Sequence, residues 1–147
     1  MLRFARLAAL ALALPLVVLA QGPPSHATVI ESLIKLMNDA SDSVGKISDK
    51  ATAEKATDDL KKQTETLKKL KVDADKLGPP TADQAKEVET KFKDKMGEAG
   101  KRIQKEMTAI PQKIMALPME TQLGLGNALK DWGAAMQAVG KAIEPKK

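Results

Sequence analysis

One histidine, His26, seven methionines and two close carboxylate pairs are the side chains of this 147-residue chain that could do chemistry. A histidine and a methionine on facing helices can hold a haem iron between them. His26, however, precedes the first helix start signal. It would sit level with Ile143 on an antiparallel last helix, about two turns from Met136. It reads as a linker residue, capable at most of a weak surface metal contact. The carboxylates of Asp58-Asp59 and Glu87/Glu89 are close enough for general acid–base work. Lysines surround both pairs, and mixed runs of that kind are solvated helix faces. There is no cysteine, which excludes Cys–His nucleophiles and thiolate zinc sites, and the lone histidine excludes the Glu-x-x-His pairs of di-iron bundles. No Gly-rich phosphate loop or dinucleotide fingerprint is present. The expectation is a protein that is not an enzyme and takes no metal or cofactor.

The methionines divide into two groups. Met37, Met96, Met107 and Met136 fall on apolar helical stripes and read as core filling. Met115 and Met119 flank Pro118 in an apolar linker with Leu117, Leu123 and Leu125, and any exposed apolar surface is expected there. Nucleic-acid binding is not expected, because the basic residues alternate with acidic ones and no aromatics interleave with them.

The elements that would position these residues are helical throughout. Aromatic residues make up only 2% of the chain, and Ala, Leu, Lys, Asp and Glu dominate, which favours helix over sheet. Residues 1–20 have the three-part pattern of a cleaved signal peptide: Arg3 and Arg6, an apolar run from Leu7 to Leu19 broken only by Pro15, and small residues at Val18 and Ala20 before Gln21. The run is short for a membrane span, and without cysteine the chain cannot be a lipid-anchored lipoprotein. A secreted or periplasmic, soluble protein without disulfides is expected. Its net charge would be +3 rather than +5, since Arg3 and Arg6 leave with the leader.

After a flexible lead-in at 21–27, Thr28 and Glu31 form a T-x-x-E capping box that opens helix one at about 28–47, with Ile30, Leu33, Met37, Ala40, Val44 and Ile47 as its stripe. Asp49 or Thr52 caps helix two, about 52–77. Its apolar positions from Ala53 to Leu77 alternate three and four apart, with Gln63 as the one polar entry, and it stops at Gly78-Pro79-Pro80. Thr81 and Gln84 cap helix three, about 82–110, whose stripe from Ala85 to Ile114 repeats every eleven residues. Pro111 predicts a kink or an end near Ile110, and Pro118 marks either the first turn of helix four or the loop before it. Helix four, about 119–143, carries Leu125, Leu129, Trp132, Met136, Val139 and Ile143 on one face, and 144–147 is tail.

Gly126, Gly133 and Gly140 repeat every seven residues along the edge of that face. Each costs about 1 kcal/mol against alanine inside a helix, which predicts either close approach of another helix backbone or a weak last helix. The architecture expected is all-α, an antiparallel up-down-up-down four-helix bundle over residues 28–143, with each stripe walled by its sequence neighbours.

Three resemblances follow from these residues. The short first loop, the central Pro-Pro break and the Lys/Ala-rich helices resemble b-type four-helix-bundle cytochromes, which implies haem-based electron transfer. That family places its methionine ligand early and its histidine late, the reverse of the order here. The long Lys-flanked amphipathic helices resemble exchangeable apolipoproteins and late-embryogenesis-abundant stress proteins, which implies contact with a membrane surface. The absence of Trp and Phe at the stripe margins argues against that reading. The segments Leu36-Met37-Asn38-Asp39, Ala51-Thr52-Ala53-Glu54-Lys55-Ala56, Leu77-Gly78-Pro79-Pro80 and Lys91-Phe92 with Met96 resemble uncharacterised small secreted helical proteins of planctomycete bacteria, which implies an envelope location. The functional expectation is a non-enzymatic helical protein that binds an unknown protein partner or itself. Its candidate surface is Gly126, Gly133, Gly140, Met115, Leu117, Met119 and Leu123. The alternative is a carrier of lipid or another apolar ligand that opens its helices.

Overall fold

The computed structural model describes residues 24–145. The expected signal peptide, residues 21–23 of the lead-in and the last two residues of the tail lie outside the described residues. Within them the chain is all-helical, with α1 (His26–Gly45), α2 (Lys50–Leu77), α3 (Ala82–Ile114) and α4 (Met119–Ala142).

Local side-chain chemistry sets the starts of the first three helices. The capping box of α1 is Ser25 with Thr28 rather than Thr28 with Glu31. The Thr28 amide donates to Ser25 Oγ at 3.2 Å and the Ser25 amide donates to Thr28 Oγ1 at 2.9 Å. Serine and threonine three apart supply the same reciprocal acceptors as the T-x-x-E pair, so the helix begins earlier and carries His26 with it. At α2 both candidate residues are used. Asp49 is the N-cap and accepts from the Thr52 amide at 2.8 Å, while Thr52 Oγ1 accepts from the Asp49 amide at 3.0 Å. That backbone bond, with the Thr52 hydroxyl adding to it, holds the Asp49 carboxyl below its ordinary value. Thr81 and Gln84 cap α3 as expected. Gly78 ends α2 at φ 69°, a left-handed conformation open to glycine and strained for other residues.

Two ends differ from expectation. Helix α1 stops at Gly45, and Ile47 reaches the core from the loop beyond it, only 4% exposed. Helix α3 does not end near Ile110 but runs through Pro111 to Ile114. Proline removes the hydrogen bond to the Met107 carbonyl and crowds that carbonyl with its ring. The turn beyond it is held by burial of Ile110, by half-burial of Ile114 and by an anchor that Lys113 makes to α1. Pro118 is the N-cap of α4, with no side-chain bond.

Packing is centred on α2. One contiguous core joins Leu33, Leu36 and Val44 of α1, Ala53, Leu60 and Leu67 of α2, Ile110 of α3, and Leu125, Trp132 and Val139 of α4. Helix α2 packs along α4 and against α1, α3 packs on α1, and the other three pairs barely touch. The seam of α2 is therefore walled by α1 and α4, and the expectation that α3 would flank it is overturned. The four-residue break Gly78 to Thr81 carries the chain across to α1, where α3 buries Phe92 and Ala99 outside the main core cluster. Ordered contacts join the ends. The start of α1 meets the end of α2 through His26 and Gly78, and Gln63 of α2 meets Trp132 of α4.

Candidate interaction surface

The glycine series does not lie against another helix of the molecule. Gly126 and Gly140 are exposed and Gly133 is half-buried, and a Cβ added at any of the three would meet nothing within 4 Å. Close approach inside the chain is thus not their role. The reason lies in the helix period. Seven residues fall about 20° short of two full turns, so the series stays on one side of α4, away from Leu125, Ala128, Trp132 and Val139, which face α2.

The apolar residues around Pro118 separate into two classes. Leu125 is fully buried in the core and Leu117 is half-buried against it. Met115 and Met119 are each 76% exposed and Leu123 is 62% exposed. These three fall at the corner where α3 gives way to α4. Met119 begins the heptad series that Gly126, Gly133 and Gly140 continue, so the outward side of α4 runs from large apolar side chains to none. Val72 on α2 is the one other large apolar side chain exposed among the described residues.

His26 is not a linker residue. It is the first residue of α1, only 8% exposed, and its Nε2–H donates to the Gly78 carbonyl at 2.9 Å. That bond fixes the ring tautomer, with the proton on Nε2. Among the described residues no three histidine or carboxylate side chains converge on a metal-sized site. The surface grooves are lined by charged side chains and alanines. One lies on the outer face of α3 along Lys101, Gln104, Lys105 and Thr108, and another lies between α2 and α4 at Lys61, Glu65, Lys68 and Asp131. In the second, the hydrogen bond and charge of Glu65 hold Lys68 above the usual lysine value, with Asp131 adding to the effect.

Sequence reading missed Lys113. Its Nζ donates to the carbonyls of Gly45 at 3.0 Å and Val44 at 3.3 Å, and pairs with Glu106 at 2.9 Å. A cation on the last carbonyls of α1 is favoured by the helix dipole, and it latches the corner that carries Met115 to α1. Only its place in the last turn of α3 hinted at such a role. Lys113→Met is expected to lower stability by about 1–2 kcal/mol, as for a charged hydrogen bond lost at a partly buried site. Chemical denaturation followed by circular dichroism measures it, and an unchanged midpoint would rule the latch out.

No protein-family model, curated protein or solved structure matches the chain at a significant level.

Proposed function

We propose that this chain is a non-enzymatic, exported helical-bundle protein of the bacterial envelope, secreted or periplasmic, that works by binding protein, either a partner or itself. The leader at residues 1–20 supports export, and an antiparallel up-down-up-down order of the helices is the architecture proposed for the bundle. The observation that carries the reading is the exposed set Met115, Met119 and Leu123. Large apolar side chains exposed together on a small domain mark a surface that another molecule covers. No helix among the described residues is long and apolar enough to cross a membrane, so the patch is not part of such a span.

A carrier of lipid or another apolar ligand is the second reading. It is favoured by the loose α3–α4 side, where Ile103, Met107, Leu129 and Met136 are only partly buried. Native mass spectrometry of the protein recovered from its own host envelope tests both, since it reports assembly and bound ligand together. A complex containing a second protein chain supports the first reading. A single chain carrying lipid, or one carrying nothing, overturns it.

A further inference from the structure

We infer, resting on the reading that the exposed apolar set binds protein, that its occupant is a different protein, which lays an acidic amphipathic helix along the outer face of α3. One stripe of side chains carries the inference. Lys101, Lys105, Thr108, Gln112 and Met115 recur four and three residues apart, so they share a face of the helix. All five are exposed. The first four line one surface groove together with Gln104 and Ala109. Met115 keeps helical backbone angles, φ −56° and ψ −34°, so the stripe reaches the apolar corner unbroken. It runs about 21 Å at 1.5 Å per residue. Met119 and Leu123 extend its apolar end on the α4 side.

Charge identifies the occupant. On α2 and the first half of α3, lysines meet carboxylates one turn away, as Lys68 meets Glu65, Lys71 meets Asp75 and Lys93 meets Glu89. On this stripe the pattern stops. Lys101 and Lys105 stand four apart, a like-charge spacing that disfavours the helix, and neither forms an ion pair among the described residues. The carboxylates that follow in sequence lie elsewhere. Glu106 is held by Lys113 at 2.9 Å against the end of α1, and Glu120 lines the groove between α2 and α4 with Lys50 and Lys61. Arg102 pairs with Asp42 of α1. Glu98, three residues before Lys101, bounds the stripe at the end away from the corner. The face is therefore cationic at one end and apolar at the other. Its complement is a helix with two carboxylates one turn apart and an apolar side chain about three turns further on. A second helix laid along a four-three stripe keeps facing it over that length. A second copy is a poor match, because the carboxylates of α2 and α3 interleave with lysines, Asp39 and Asp42 of α1 are already paired, and α4 has only Glu120 and Asp131. A bilayer is a poor match too, because no Trp or Phe borders the corner to anchor it at the interface.

A photo-reactive side chain at Gln112 of the full chain, activated in its own host, tests the assignment when the adduct is sequenced by mass spectrometry. The expected adduct is a different protein, joined through a segment with carboxylates three or four residues apart. Lys101→Glu combined with Lys105→Glu is expected to lower the adduct yield about tenfold, as two attractive contacts become repulsive. Lys101→Arg with Lys105→Arg keeps the charge and is expected to keep the yield. Circular dichroism of each purified variant checks that the helices persist. If the reversal costs helix content, Lys105→Gln replaces it, with a loss of about threefold expected for one exposed pair. A yield indifferent to these charges, or an adduct through a segment without paired carboxylates, overturns the acidic helix and leaves the protein-binding reading standing. A second copy in the adduct does the same. An adduct from Leu123 but none from Gln112 overturns the α3 stripe alone. Lipid alone, or nothing, from both positions overturns the inference and the reading together.

Discussion

Replacing Trp132 with alanine is expected to destabilise the fold by about 3–5 kcal/mol, the range for removing a large buried aromatic from a packed core. Trp132 is 5% exposed and sits in the contiguous core where α4 lies on α2. Its indole N–H donates to Gln63 Oε1 at 3.0 Å, so the ring is held at one edge by a hydrogen bond and elsewhere by apolar contact. The substitution leaves a cavity at the most extensive helix–helix contact of the molecule and strands the amide of Gln63 on the α2 seam. Small domains carry only about 5–15 kcal/mol of total stability, so the variant should sit near the edge of folding. Trp132 is the chain's single tryptophan, and its fluorescence vanishes with it. Urea unfolding followed by far-ultraviolet circular dichroism is therefore the proper measurement. A loss below about 1 kcal/mol, typical of a surface substitution, would mean that α4 is not docked on α2 through this residue.

Phe92→Ala is expected to be as costly at its own site, about 3–5 kcal/mol, but local in its consequences. Phe92 is 1% exposed, yet it lies outside the main core cluster, on a helix that packs against α1 alone. Besides Phe92, only Ala99 and Ile110 of α3 are fully buried. Losing the aromatic ring should release the first half of α3 while the α1–α2–α4 core holds, since regions with few buried contacts open independently. Amide hydrogen exchange read by fragment separates the outcomes. Protection should collapse over Ala82 to about Gly100 and persist in α2 and α4. A uniform loss across all four helices would show instead that Phe92 belongs to the common core.

These two side chains also show what the sequence discloses and what it hides. The four helices were legible because each has a capping residue, a periodic stripe and a Gly or Pro break. Those signals act within a turn or two of the chain. Gln63 stands out as the polar interruption of the α2 seam, and Trp132 as a member of the apolar face of α4, but nothing local says that they meet. Adjacency is decided by which stripes fit together over the whole molecule. That is why α3 lies on α1 rather than on α2. Pro111 leaves a kink or an end open for a related reason, and α3 does not end there. Its missing hydrogen bond is a local cost, whereas Ile110, Ile114 and the Lys113 latch that outweigh it act across helices. The glycine series is visible as a pattern, but nothing in the pattern says that no helix of the chain lies against it. A helix start at Thr28 leaves His26 in the lead-in, whereas the Ser25–Thr28 box makes it the first residue of α1.

On the proposed reading, protein covers the exposed apolar corner between α3 and α4 when the molecule is at work. A photo-reactive side chain placed at Leu123, with the same group at exposed Val72 on α2 as the control, tests it most directly in the protein's own host. Cross-linking to a polypeptide from position 123 and not from position 72 is the expected result, with the adduct mass identifying a second copy or another protein. Labelling of lipid alone from position 123, or no adduct there at all, would contradict the claim.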